Sequence, residues 1–137
     1  MELLTKASYS GEVSEREKKN LEVAYRAACE SMVLLKNDGI LPLKNVKTVA
    51  VIGPNADKKD VLLGNYNGLP SRYTTLLRGI QDGTDAKVIY ARGSHEYKDH
   101  ASLHYTEEKP LNEAIIAAKH ADAVILCVGI NPSMEGE

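Results

Sequence analysis

Two carboxylates near the C-terminus, Glu135 and Glu137, stand on either side of a single glycine in the run Met134-Glu135-Gly136-Glu137. Held this close in a loop, like charges repel and the proton affinity of one of them rises. A carboxyl group tuned in this way can give a proton to a leaving oxygen and later take one from water. An acidic, solvated loop is the plain alternative, and nothing earlier in the chain supplies an obvious opposing carboxylate. A second polar cluster, Gly53-Pro54-Asn55-Ala56-Asp57, follows an apolar run. A glycine there could approach a phosphate, but the G-x-G-x-x-G spacing is missing and Pro54 removes a backbone donor. A packed turn is the better reading, with Asp57 closing a surface turn through its own side chain.

The remaining reactive side chains point to no further chemistry. His95, His100, His104 and His120 are the four histidines. His100 and His104 share a face only if their stretch is helical, and a metal would need a third ligand in fixed geometry. No metal and no cofactor is therefore expected. No G-x-S-x-G elbow is present, and no motif pairs either cysteine with a histidine. Cys29 falls in a helical pattern and Cys127 in an apolar strand pattern, so both read as buried free thiols. A disulfide between them is the alternative.

These groups need elements to hold them. Ser14 followed by Glu17 is a capping box that opens a helix. Leu21, Tyr25, Ala28, Met32 and Leu35 form its apolar face, and Asn37-Asp38-Gly39 stops it. Three apolar runs follow: Thr48–Ile52, Lys87–Ala91 and Ala123–Val128. Each is nearly continuous instead of alternating, the pattern of strands buried on both faces. Helices are predicted between them, around Thr74–Ile80 and Leu111–Ala121, the second opened by Pro110. Ala114, Ala117, Ala118 and Ala121 suit close packing on a sheet. The order helix, strand, helix, strand, helix, strand is that of an open α/β layer with a mostly parallel sheet. Acids after the third strand would then sit at the carboxyl edge, where such sheets place ligands.

A chain of 137 residues suits one domain or part of one. With no Trp, no Phe and seven Tyr, the core must be built from Val, Leu, Ile and Ala. The net charge of −2, with both signs interspersed, argues against nucleic acid or an anionic membrane as partner. No stretch reads as a signal peptide or a membrane span, which leaves the compartment open. Three strands ending so close to Glu137 would leave apolar edge and face uncovered. A missing continuation, another domain, or self-association through the incomplete sheet would each cover it.

Five stretches, in order and spacing, resemble glycoside hydrolase family 3. They are AACESMVLLKNDGILPL (Ala27–Leu43), VAVIGPNAD (Val49–Asp57), LGNYNGLPSRYTTLLRGI (Leu63–Ile80), VIYARG (Val88–Gly93) and ADAVILCVGINPSMEGE (Ala121–Glu137). The resemblance implies the domain that follows an N-terminal (β/α)8 barrel, an α/β sandwich. Residues 1–13 would be an inter-domain linker or arm. Residues 14–137 would be the N-terminal portion of the sandwich, incomplete at the C-terminus.

In that family the barrel supplies a nucleophilic aspartate and the sandwich often supplies an acid/base glutamate. By resemblance that glutamate is Glu137, with Glu135 as the alternative register. The parent would be a retaining exo-hydrolase that removes a β-linked sugar from an oligosaccharide or an aryl or alkyl glycoside. The Leu63–Ile80 stretch is most similar to the β-xylosidase branch, whose members often have cysteine in place of Ser71; β-glucosidase is the second choice. A free-standing sugar-binding or protein-interaction module is the rival from outside enzymology. Without barrel or nucleophile, this chain by itself is expected to be inactive.

Overall fold

The computed structural model describes residues 14–64, 68, 73–95 and 108–132. The chain forms two compact units, Met1–Leu41 and Pro42–Glu137.

In the first unit, α1 spans Glu15–Ser31. Its start is the capping box the sequence predicts. The Glu17 N–H donates to Ser14 Oγ at 3.2 Å, and the Ser14 N–H donates to Glu17 Oε2 at 2.7 Å. Ser14 Oγ donates to the same Oε2 at 2.8 Å, and the two bonds Ser14 gives the carboxylate, the backbone one first, hold Glu17 below the usual glutamate range. The helix ends earlier than predicted. Met32 is already extended, so Met32 and Leu35 lie beyond the helical face assigned to them. Asn37 organises a separate turn instead of a helix stop. Its Oδ1 accepts from Gly39 N and Leu41 N, both at 3.1 Å, and its Nδ2 donates to the Leu41 carbonyl. Asn side chains favour such turns because they offer the backbone local partners that compete with the helix.

The second unit is a three-stranded parallel sheet in the order β2-β1-β3. β1 is Thr48–Ile52, β2 is Lys87–Ala91 and β3 is Ala123–Leu126. Thr48 pairs with Lys87 and Ile52 with Ala91 on one side; Val49 pairs with Ala123 and Ile52 with Leu126 on the other. Ladders on both sides leave β1 no free edge. Its alternate side chains feed two separate cores. Val49 and Val51 pack with Ala56, Leu77 and Cys127, and with Ile80 at the margin. Ala50 and Ile52 pack with Ala91, Ala114 and Ala117. Helix α2 (Leu76–Gly83) therefore covers one face and α3 (Glu108–Lys119) the other.

Each helix has a local cause. Thr75 caps α2, its Oγ1 accepting from Arg78 N, so the helix begins just after the threonines instead of on them. The Arg78–Asp82 pair at 2.9 Å, one turn apart, carries it past Ile80 to Gly83. In α3, Ala114, Ala117 and Ala118 recur at the helical spacing, with Ala121 just past its end, and their small size lets the axis approach β1. Pro110 sits in the first turn, where its missing N–H costs no hydrogen bond.

Only β1 matches the expectation of burial on both faces. Tyr90, Val124 and Leu126 are exposed on the outer strands. Among the described residues each face of the sheet carries a single helix, too narrow to roof all three strands. β3 also stops at Leu126 instead of Val128. Its last ladder bond runs from Cys127 N to the Ile52 carbonyl at 2.6 Å, and β1 offers no partner beyond that point.

At the opposite end of the sheet, Asp122 Oδ2 accepts from Lys47 N and Thr48 N, both at 2.9 Å. These bonds join the entries to β1 and β3 and hold the carboxyl below the ordinary aspartate value. The unfolded chain thus binds this proton at a higher pH than the folded one. The stabilisation is complete above the ordinary aspartate pKa and disappears as pH falls through the lowered, folded value. Asp122→Ala should lower the urea midpoint at neutral pH and flatten the acid limb of stability against pH, measured by circular dichroism. A variant with an unchanged acid limb would show that this carboxylate is not coupled to folding.

Candidate functional site

Strand order places the candidate site. From β1 the chain crosses to β2 on one side by way of α2. It then returns by way of α3, on the other face, to β3 on the opposite side of β1. The crossovers diverge between β1 and β3, and open α/β sheets bind ligands in the crevice outside the carboxyl ends of strands at such a point.

Three turns meet at this edge. After β1, Gly53 N donates to the Ala91 carbonyl at 3.1 Å, and Ala56 N donates back to the Gly53 carbonyl at 3.3 Å. Gly53 has φ of 136°, and a Cβ there would collide with the backbone carbonyl of Cys127. That close approach is why glycine stands at the end of the strand. The predicted packed turn is therefore present, and it is packed against β3. After β2, Gly93 has φ of 75°, and a Cβ on it would lie 2.9 Å from Ile52 Cγ2. After β3, Val128, Gly129 and Ile130 are exposed, and Asn131 is buried again.

Asn55 bridges two of the turns. Its side chain is buried, and Nδ2 donates to the Gly129 carbonyl at 2.9 Å across a sequence separation of 74. Its Oδ1 is buried with no hydrogen-bond partner among the described residues. Asp57, expected to close its own turn, instead accepts from Thr75 Oγ1 at 2.8 Å, tying the β1 turn to the cap of α2. The same helix start is held by Leu77 N donating to the Ala56 carbonyl at 2.8 Å. Tyr90 on β2 has its phenol pushed up, chiefly by burial and then by the Asp57 charge. Burial likewise raises the Cys127 thiol, which keeps it protonated and unreactive.

The sequence-predicted acids Glu135 and Glu137 lie outside the described residues, as do His100 and His104. Their strand, β3, delivers the chain to the crevice as far as Pro132. His120 lies at the far end of α3, its Nδ1 2.8 Å from the Ile116 carbonyl. Among the described residues no three His, Cys, Asp or Glu side chains are grouped to hold a metal ion. Both cysteines are free. Cys127 is buried as expected, but Cys29 is exposed on α1. Sequence reasoning passed over Asn55 and Asp122. The one signal for Asn55 was an amide three residues past the end of an apolar strand, where a buried amide has to find a partner. The described part of the edge can position and hydrogen-bond; its proton-transfer groups would have to come from the segment after β3 or from outside.

The family model for the glycosyl hydrolase family 3 C-terminal domain matches residues 32–137. The exo-1,4-beta-xylosidase xlnD of Emericella nidulans is 44% identical over 117 residues, 84% of this chain and 13% of the relative. A solved GH3 exo-beta-xylosidase (XlnD), in complex with a xylobiose aziridine activity-based probe, superposes with a TM-score of 0.77 at 39% identity. That match covers 89% of this chain and 15% of the solved one. A solved beta-glucosidase involved in saponin metabolism, from intestinal bacteria, gives a TM-score of 0.67 at 29% identity, covering 90% and 20%. The chain spans about 14% of the length of the first curated relatives it matches.

The geometry of this edge makes Gly53 the least replaceable residue in it. Gly53→Ala should destabilise the fold by roughly 2–6 kcal/mol, the sum of backbone strain and overpacking against Cys127. Urea denaturation reads this directly; a midpoint equal to that of the unaltered protein would contradict the close approach of β1 and β3.

Proposed function

The chain belongs to glycoside hydrolase family 3, as part of its C-terminal domain, and from that premise we propose that it works within a longer, retaining exo-β-xylosidase. The observation that carries the substrate is the 44% identity to a fungal exo-1,4-beta-xylosidase over most of the chain. A xylobiose-derived probe bound to the solved xylosidase relative supports the same class of substrate. The second reading, β-glucosidase, is favoured by the likeness to a solved β-glucosidase at lower identity.

In this reading the nucleophilic carboxylate comes from an N-terminal barrel domain. The proton donor is Glu137, with Glu135 as the alternative, on the segment that leaves β3 at the crevice. Retaining enzymes hold their two carboxyl groups about 5 Å apart across the sugar. One attacks the anomeric carbon as the other protonates the leaving oxygen; the second then removes a proton from the water that releases the sugar. This chain covers 14% of a curated relative, and in this reading that share carries one half of such a pair. The exposed outer strands of the sheet would be covered in the longer protein by further chain, and in the isolated chain by self-association.

The test compares hydrolysis of 4-nitrophenyl β-D-xyloside and β-D-glucoside by the longer protein; the xyloside should have the higher kcat/KM, and a preference for the glucoside selects the second reading. Replacing the true acid/base glutamate, Glu137→Gln or Glu135→Gln, should lower kcat/KM for xylobiose by about 10²–10⁴. Azide should restore turnover of activated xylosides in that variant alone. The 137-residue chain by itself should not turn over, and activity in it that Glu137→Gln abolishes would overturn the split of roles.

A further inference from the structure

We propose that Asn55 is a positioning residue for the acid/base glutamate: by holding the Gly129 carbonyl it sets the direction in which the chain leaves β3. The proposal rests on the reading of the segment after β3 as carrier of that glutamate, and it assigns a role to a residue far from it in sequence.

Three observations converge on Asn55. The ladder that guides β3 ends at Cys127 N, hydrogen-bonded to the Ile52 carbonyl. Past that point, until Asn131 is buried again, packing loses its hold, since Val128 is 62% and Ile130 is 68% exposed. Between them Gly129 has φ of 140°, a conformation that glycine adopts with little restraint from its own sterics. The Asn55 Nδ2 bond to the Gly129 carbonyl therefore falls where neither ladder, packing nor backbone sterics fixes the exit. Asn55 itself has little freedom. It is 7% exposed, and its turn is clamped by Gly53 against the Cys127 backbone and by the Ala56 carbonyl against Leu77 N.

The second polar atom of Asn55 argues that the amide is not there for stability alone. Oδ1 is buried with no hydrogen-bond partner among the described residues. A buried acceptor left unpaired costs folding free energy, so an apolar side chain would be the cheaper way to fill this space. What an apolar residue cannot supply is the donor to Gly129. The crevice position matters as well: Asn55 joins the turns of the two strands between which the crossovers diverge. General acid catalysis depends on a proton donor held within hydrogen-bond reach of the leaving oxygen. Small displacements of such a group lose rate without touching its chemistry.

Leaving groups separate this role from a general loss of folded protein. Xylobiose needs its leaving oxygen protonated, whereas 2,4-dinitrophenolate departs with little help. In the longer protein, Asn55→Ala should lower kcat/KM for xylobiose by about tenfold or more, a part of the roughly 10²–10⁴ that general acid catalysis contributes. The ratio of kcat/KM for 2,4-dinitrophenyl β-D-xyloside over xylobiose should rise by a similar factor. Asn55→Asp, which keeps the shape but turns an acceptor toward Gly129, should raise the same ratio and guards against a defect peculiar to the cavity left by alanine. In the background of the glutamate variant that removes the acid/base, Asn55→Ala should add less than about threefold, because the two act through one group. Equal losses on both substrates, or additive losses in the double variant, overturn the positioning role while leaving the function intact. If neither Glu135→Gln nor Glu137→Gln changes the ratio, the acid/base reading has failed and the role of Asn55 fails with it.

Discussion

β1 has no surface left for water, and the second unit is arranged around that fact. Strands pair with it on both edges, and its side chains alternate between two cores, Val49 and Val51 under α2, Ala50 and Ile52 under α3. Val51 is fully buried, and burying a side chain of this kind stabilises by roughly 1.5–3 kcal/mol relative to leaving it exposed. Residues of one sign of size do not serve both faces. Valines fill the space beneath the short α2, whereas alanines on strand and helix let the longer α3 come close. Neither core is complete without β1, so each helix and each outer strand depends on it.

The same strand decides what its carboxyl end can look like. With neighbours on both sides, the turn after Ile52 must pass close to the turns after Ala91 and Leu126. Glycine answers at Gly53 because a side chain there would occupy the place of the Cys127 carbonyl. Gly93 answers in the same way against Ile52. Polar groups carried into so crowded a place have to find partners across the sheet instead of along their own chain. Asn55 reaches Gly129, and Asp57 reaches Thr75. In the proposed function such an edge would hold the segment after β3 in place, more than supply reactive groups itself. The catalytic work in that proposal is divided between domains, and an edge that positions without reacting fits one side of that division.

How much of this was legible in the chain depends on the range of the interaction. The capping box of Ser14 and Glu17 and the apolar runs of β1 and β2 depend on neighbours a few residues away, and the structure places them where the sequence does. Ends of elements proved harder. α1 stops at Ser31, and Asn37, six residues on, organises a turn of its own. β3 stops at Leu126 because β1, its partner among the described residues, has run out. Burial of the outer strands was overestimated, since an apolar run shows what a strand can bury and not how much roof the helices provide.

The sequence by itself determined the α/β alternation, the parallel sheet and the family, because composition, periodicity and ordered motifs are properties of neighbouring residues; it also nominated Glu135 and Glu137. Tertiary structure decided the rest. It put β1 in the middle, made the crossovers diverge between β1 and β3, bound Asp122 to the entries of two strands, and set Asn55 against Gly129. Those last contacts join residues more than seventy positions apart, and no local preference of Asn, Asp or Gly encodes which distant carbonyl or N–H will arrive beside it. That partner exists only after two crossovers have closed on one strand, so the physical cause lies in the packing and not in the letters.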